Sequence, residues 1–86
     1  MHTQSLKTIG EMFQKCQTLE DFMNSIDDFC TADEVRKIAD RILIVQSLKK
    51  GETPENTSYK LGIPLEEAYR GQRILSSGSW AAKSFA

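Results

Sequence analysis

Apolar positions recur at helical spacing through most of this chain, and no segment alternates apolar with polar as a half-buried strand would. Between Ser5 and Gln17, the residues Leu6, Ile9, Met12, Phe13 and Cys16 fall on one stripe. That spacing predicts a helix in spite of Gly10, whose interior position costs about 1 kcal/mol relative to alanine. A second stripe, Leu19, Phe22, Met23, Ile26 and Phe29, follows Thr18, whose hydroxyl suits a helix cap, with Glu20 and Asp21 where the helix dipole favours acid. The third segment opens on Thr31 with Glu34 in capping-box register and closes on Lys49, Lys50 and Gly51. Its stripe is Val35, Ile38, Ala39, Ile42, Val45 and Leu48, but Leu43 and Ile44 carry apolar surface further around the cylinder. A helix apolar on most sides must be buried on most sides. A second subunit covering the extra face achieves this, as does a central position in a compact monomer; so short a chain offers few partners of its own, which favours the second subunit.

The pattern changes in "GETPENTSYKLGIPLEEAYRGQRIL", Gly51 to Leu75. Thr53 caps a helix with Pro54 at its first position, where a missing N–H does no harm. Gly62 supplies a left-handed turn between Leu61 and Ile63, both expected to reach the core. Pro64 then starts a helix running to about Ser77, which "SSGS" breaks, and a last turn is expected to dock Trp80 and Phe85. Two short capped helices joined by such a turn form a helix-turn-helix, in which the second helix lies in the major groove of DNA. At 100° per residue Glu66, Tyr69, Arg70 and Arg73 project together, while Leu65, Ala68, Leu75 and, marginally, Gln72 project the other way.

That outer face supports two readings. As structure, Glu66 and Arg70 form an i,i+4 pair, and both Glu66 and Glu67 suit a helix N-terminus. As function, Arg70 and Arg73 contact guanine or phosphate, Tyr69 a phosphate or base, and a glutamate accepts from cytosine N4. Gly71, costly inside a helix, marks close approach by another group. With Ala68 it leaves room for a ligand or for an aromatic side chain of this chain such as Trp80.

Composition narrows the classes. With 86 residues, 40% of them hydrophobic, and a formal charge of -1, the chain reads as one soluble domain with a thin core. No apolar run approaches the roughly 20 residues of a membrane span, and no secretory leader is evident, so the expected compartment is the cytoplasm. Cys16 and Cys30 fall on apolar stripes and read as reduced packing residues, with a redox or disulfide role as the alternative; His2 is the single histidine and stands near the terminus. Neither a zinc site nor a catalytic triad can be assembled from these groups, so no metal, cofactor or enzyme activity is expected. The near-neutral charge also leaves little basic surplus for nonspecific DNA affinity.

"TADEVRKIADRILIVQSLKKGE" followed by "LGIPLEEAYRGQRIL" resembles the Trp repressor family, in which Thr-Asp-Glu opens a long helix with an internal Arg-x-x-Ile-Val and a Gly-Glu end. The resemblance runs from about Phe29 to Gly78, and the shorter first helix of the pair is more similar to the YerC/YecD branch. It implies an all-α, intertwined homodimer whose two helix-turn-helix units read successive major grooves. It also implies a small-molecule pocket at Thr31, Arg41, Arg70 and Gly71. Departures are Asp28 and Cys30 at apolar pocket positions, Ile74 in place of a serine, and Leu65, Glu66, Glu67 and Tyr69 where the family carries small and hydroxyl residues.

The resulting expectation is a single domain over residues 1–86, with a helical dimerisation core at about 5–50, the helix-turn-helix at about 53–77 and a tail at 78–86. Its function is that of a repressor-like regulator binding double-stranded DNA as a homodimer, through Lys49, Lys50, Lys60, Pro64, Leu65, Glu66, Glu67, Tyr69, Arg70 and Arg73. The alternative is a degenerate helix-turn-helix whose acidic second helix meets a basic protein.

Overall fold

Local capping decides where most of the helices begin. The computed structural model describes residues 3–84, and these hold six helices and no strand: α1 (Thr3–Gln14), α2 (Leu19–Phe29), α3 (Ala32–Lys49), α4 (Pro54–Leu61), α5 (Leu65–Ser76) and α6 (Trp80–Ser84). Thr18 caps α2 through its hydroxyl, which accepts from the Asp21 N–H at 3.1 Å, while Asp21 Oδ2 accepts from the Gln17 N–H at 3.0 Å. The capping box of α3 is complete: Glu34 N–H donates to Thr31 Oγ1 at 3.1 Å, and Thr31 N–H donates to Glu34 Oε1 at 2.7 Å. Thr53 Oγ1 accepts from the Asn56 N–H at 3.1 Å to start α4, with Pro54 in its first turn. Each bond satisfies donors that a helix end otherwise leaves open.

Contacts divide the chain into two compact units, with the break between Val35 and Arg36 inside α3. In the first unit the Phe13 and Phe22 rings of α1 and α2 meet with centroids 4.8 Å apart and planes tilted by 57°, a favourable edge-on offset. Cys16 lies beside them, 3.7 Å from Ser25 Oγ, and both Cys16 and Cys30 are free and half-buried. Neither α1 nor α2 buries a residue. Leu6, Ile9, Phe13, Leu19, Met23 and Phe29 are all exposed, so the stripes read from the sequence exist but lie open.

The second unit has a small core of Ile44, Val45 and Leu48 from α3, Ala68 and Gly71 from α5 and Ala82 from α6. Pro54 and Thr57 of α4 are also buried, and Thr57 bonds to Ser47 of α3, hydroxyl to hydroxyl at 2.9 Å. A buried hydroxyl left unpaired would cost about 1–3 kcal/mol, so this bond permits α4 to dock with a polar residue inward.

Several expectations change here. Ile44 belongs to this unit's own core, whereas Leu43 stays 46% exposed; the two were expected to extend one face together. Leu61 and Leu65 are exposed rather than inward, and Trp80 is 73% exposed, because α6 docks through Ala82. The expectations for His2 and Phe85 lie outside the described residues. Among the described residues no helix is long and apolar enough to cross a membrane.

Candidate nucleic-acid interface

The turn between α4 and α5 is built from three residues. Gly62 sits at φ 65°, ψ 37°, a left-handed conformation that costs glycine nothing and a side-chained residue about 1 kcal/mol or more. Ser58 then holds Ile63 twice: its carbonyl accepts the Ile63 N–H at 3.2 Å, and its hydroxyl donates to the Ile63 carbonyl at 2.6 Å. Ser58 went unnoticed in the sequence, although a hydroxyl residue four places before a helix-ending glycine is a readable signal.

Behind α5, the glycine expected to make room does so for α3. A Cβ placed on Gly71 would stand 2.3 Å from Ile44 Cγ2 and 3.4 Å from Leu48 Cδ1. On this side of Gly71 the space is therefore filled by the aliphatic side chains of Ile44 and Leu48 rather than by Trp80.

The charged residues of the helix pair fall into two sets. Glu67 is half-buried and turns toward α3, where its Oε2 lies 3.6 Å from Arg41 Nε. That oxygen is shielded by the fold although the side chain is partly exposed, and among the described residues it has no hydrogen-bond partner, so the Arg41 charge is what faces it. Glu67 was expected among the DNA-facing residues; here its carboxylate is turned toward Arg41. Tyr69 donates its hydroxyl to Glu55 Oε2 of α4, and this bond holds the Glu55 carboxyl below its ordinary range and raises the Tyr69 phenol above its own. Glu52 is likewise lowered, first by the Asn56 side chain and then by Lys60, which pairs with it at 3.4 Å. Lys49 donates to the Ala82 carbonyl of α6. Glu55, Glu52 and Asn56 are the partners that sequence reasoning missed.

The second set stays open. Lys50, Glu66, Arg70 and Arg73 are exposed, and among the described residues no ion pair or side-chain hydrogen bond engages them, the expected Glu66–Arg70 pair included. Pro64 and Leu65 are exposed beside them. Of the pocket residues implied by resemblance, Arg41, Arg70 and Gly71 belong to the second unit; Thr31 belongs to the first, with its hydroxyl committed to capping α3. The described residues contain no cluster of His, Cys, Asp and Glu suited to a metal ion.

Compared with known proteins, residues 4–85 match the family model described as Trp repressor protein. No curated protein and no solved structure matches the chain.

Proposed function

Because this chain belongs to the Trp repressor family, we propose that it is a sequence-specific, repressor-like transcriptional regulator that binds double-stranded DNA as a homodimer in the cytoplasm. One observation carries the reading. A rigid helix-turn-helix presents Glu66, Arg70 and Arg73 unengaged on the outer face of its second helix, where base edges and phosphates are met. Arg70 and Arg73 reach guanine or phosphate, and Lys50 adds a phosphate contact. Lys49, Lys60 and Tyr69 join only after exchanging their partners Ala82, Glu52 and Glu55. The protein acts by binding, without catalysis and without a metal.

The homodimer is supported by the apolar faces left open: Val35, Ile38, Ile42 and Leu43 on α3, with Leu6, Ile9, Phe13, Leu19, Met23 and Phe29 on the first two helices. Exposed apolar surface on this scale marks an interface. An open groove of about 400 Å³ beside Phe13, Cys16, Leu19 and Phe22 offers a seat for a partner's side chain. Control by a small acid remains part of the proposal in one form: the effector takes the place of Glu67 on Arg41.

Fluorescence anisotropy on a randomised duplex pool, across a salt series, tests the reading. Binding that enriches a sequence and falls steeply with salt supports it. No binding and no enrichment at about 50 mM salt overturns it in favour of the protein-interaction module, for which the unengaged Glu66 at the start of α5 would offer an acidic contact.

A further inference from the structure

We propose that Glu66 is a specificity-determining residue that reads cytosine in the major groove. This rests on the DNA-binding reading above and goes beyond it by naming a base. The two adjacent acids at the start of α5 have different fates: Glu67 is drawn to Arg41 and half-buried, whereas Glu66 is exposed with no partner among the described residues. Glu66 therefore makes no ion pair among the described residues; beyond the favourable helix dipole at the first turn of α5, its carboxylate is uncommitted. It is also the charged residue nearest the N-terminus on the outer face of α5, the end of a reading helix that lies closest to base edges.

Chemistry selects the base. A carboxylate can only accept, and the major-groove edges of guanine and thymine present acceptors to it, which repel. Adenine offers its N6 amino group but sets the acceptor N7 beside it on the same base, leaving cytosine N4 as the donor whose own base presents no acceptor in the groove. Arg70, one helical turn on and equally unengaged, has the complementary preference for guanine O6 and N7. The two Cα positions are separated by about 6 Å along the helix. Since base pairs rise about 3.4 Å, the pair spans a step or two, and the selected half-site holds a cytosine with a guanine one or two positions away.

The experiment is selection of the full-length protein and its Glu66→Gln, Glu66→Ala and Arg70→Ala variants on a randomised duplex pool, with circular dichroism confirming equal helicity. The wild type is expected to enrich cytosine at one position by on the order of five- to tenfold, the lower range of a good base contact. Glu66→Ala should lose that preference alone, and Arg70→Ala the neighbouring guanine alone. Glu66→Gln should exchange cytosine for adenine, because an amide matches the N6 and N7 of adenine together. If the wild type enriches a sequence that all Glu66 variants enrich equally, Glu66 reads nothing; the inference falls and the DNA-binding reading stands. If Glu66→Ala tightens binding to every sequence alike, the residue acts by repulsion only, and the inference falls in the same way. Absence of any binding removes both.

Discussion

Ile44 occupies the space that Gly71 leaves open, its Cγ2 only 2.3 Å from where a Cβ would stand. Helix α5 therefore rests on α3 at a point where neither side can grow. Gly71→Ala should destabilise the protein by about 1–3 kcal/mol, the usual cost of overpacking, because Ile44 is 1% exposed and has nowhere to move. Ile44→Ala should cost about 2–5 kcal/mol through the cavity it leaves. Combined, the two should cost less than their sum, since each relieves the other's defect. Urea unfolding at fixed protein concentration measures all three, and strict additivity would contradict the contact.

If the proposed homodimer forms through α3, adjacent residues of that helix separate assembly from folding. Leu43 is 46% exposed and Ile44 is not. Leu43→Ala should raise the dimer dissociation constant in analytical ultracentrifugation while leaving the packing of Gly71 untouched. Ile44→Ala should loosen the second unit at every concentration. A Leu43→Ala protein that sediments like the wild type would argue that this face is not the interface.

Tyr69 and Glu55 should titrate as partners. The Glu55 carboxyl is lowered, so its contribution to stability is present above the ordinary value of 4.5 and is lost as pH falls through its folded value. The Tyr69 phenol is raised, so its contribution is present below 10.0 and is lost as pH rises through its folded value. Glu55→Gln should return the Tyr69 phenol toward 10.0 in a tyrosinate absorbance titration, with Tyr69→Phe identifying the signal. A titration unmoved by Glu55→Gln would show that the bond does not persist in solution.

Arg41 is the group through which an acid could act. Its pair with Glu67 leaves the side chains 43% and 35% exposed, so solvent screening holds the direct worth of the pair to about 0–1 kcal/mol. Glu67→Gln should therefore cost little stability. It should, however, free Arg41, and small carboxylates such as acetate or amino acids should then raise the melting temperature of the variant more than that of the wild type. Equal shifts in both proteins would sink the exchange idea.

What the sequence disclosed was local. Thr18, Thr31 with Glu34, Thr53 with Pro54, and Gly62 each specify a helix end through partners within a few residues, and each stands where it was read. The all-α class followed from the helical spacing of apolar positions, and the family from the resemblance carried by the third helix and the helix pair. Choices between neighbours were not legible. Leu43 and Ile44 are equally apolar, and Glu66 and Glu67 are chemically identical; only α5 lying against Ile44, and Arg41 lying within reach of Glu67, tell them apart. Likewise nothing in the stretch around Tyr69 announces Glu55, which belongs to the other helix of the pair.

The double hold of Ser58 on Ile63 has a thermodynamic meaning for recognition. Ordering a flexible connection costs about 1–2 kcal/mol for each residue fixed. In this chain the connection is already fixed before any duplex arrives, so that loss falls in folding rather than in association. On the proposed reading the helix pair meets DNA preorganised, and a chain of net charge -1 has correspondingly less ordering entropy to offset by electrostatic attraction.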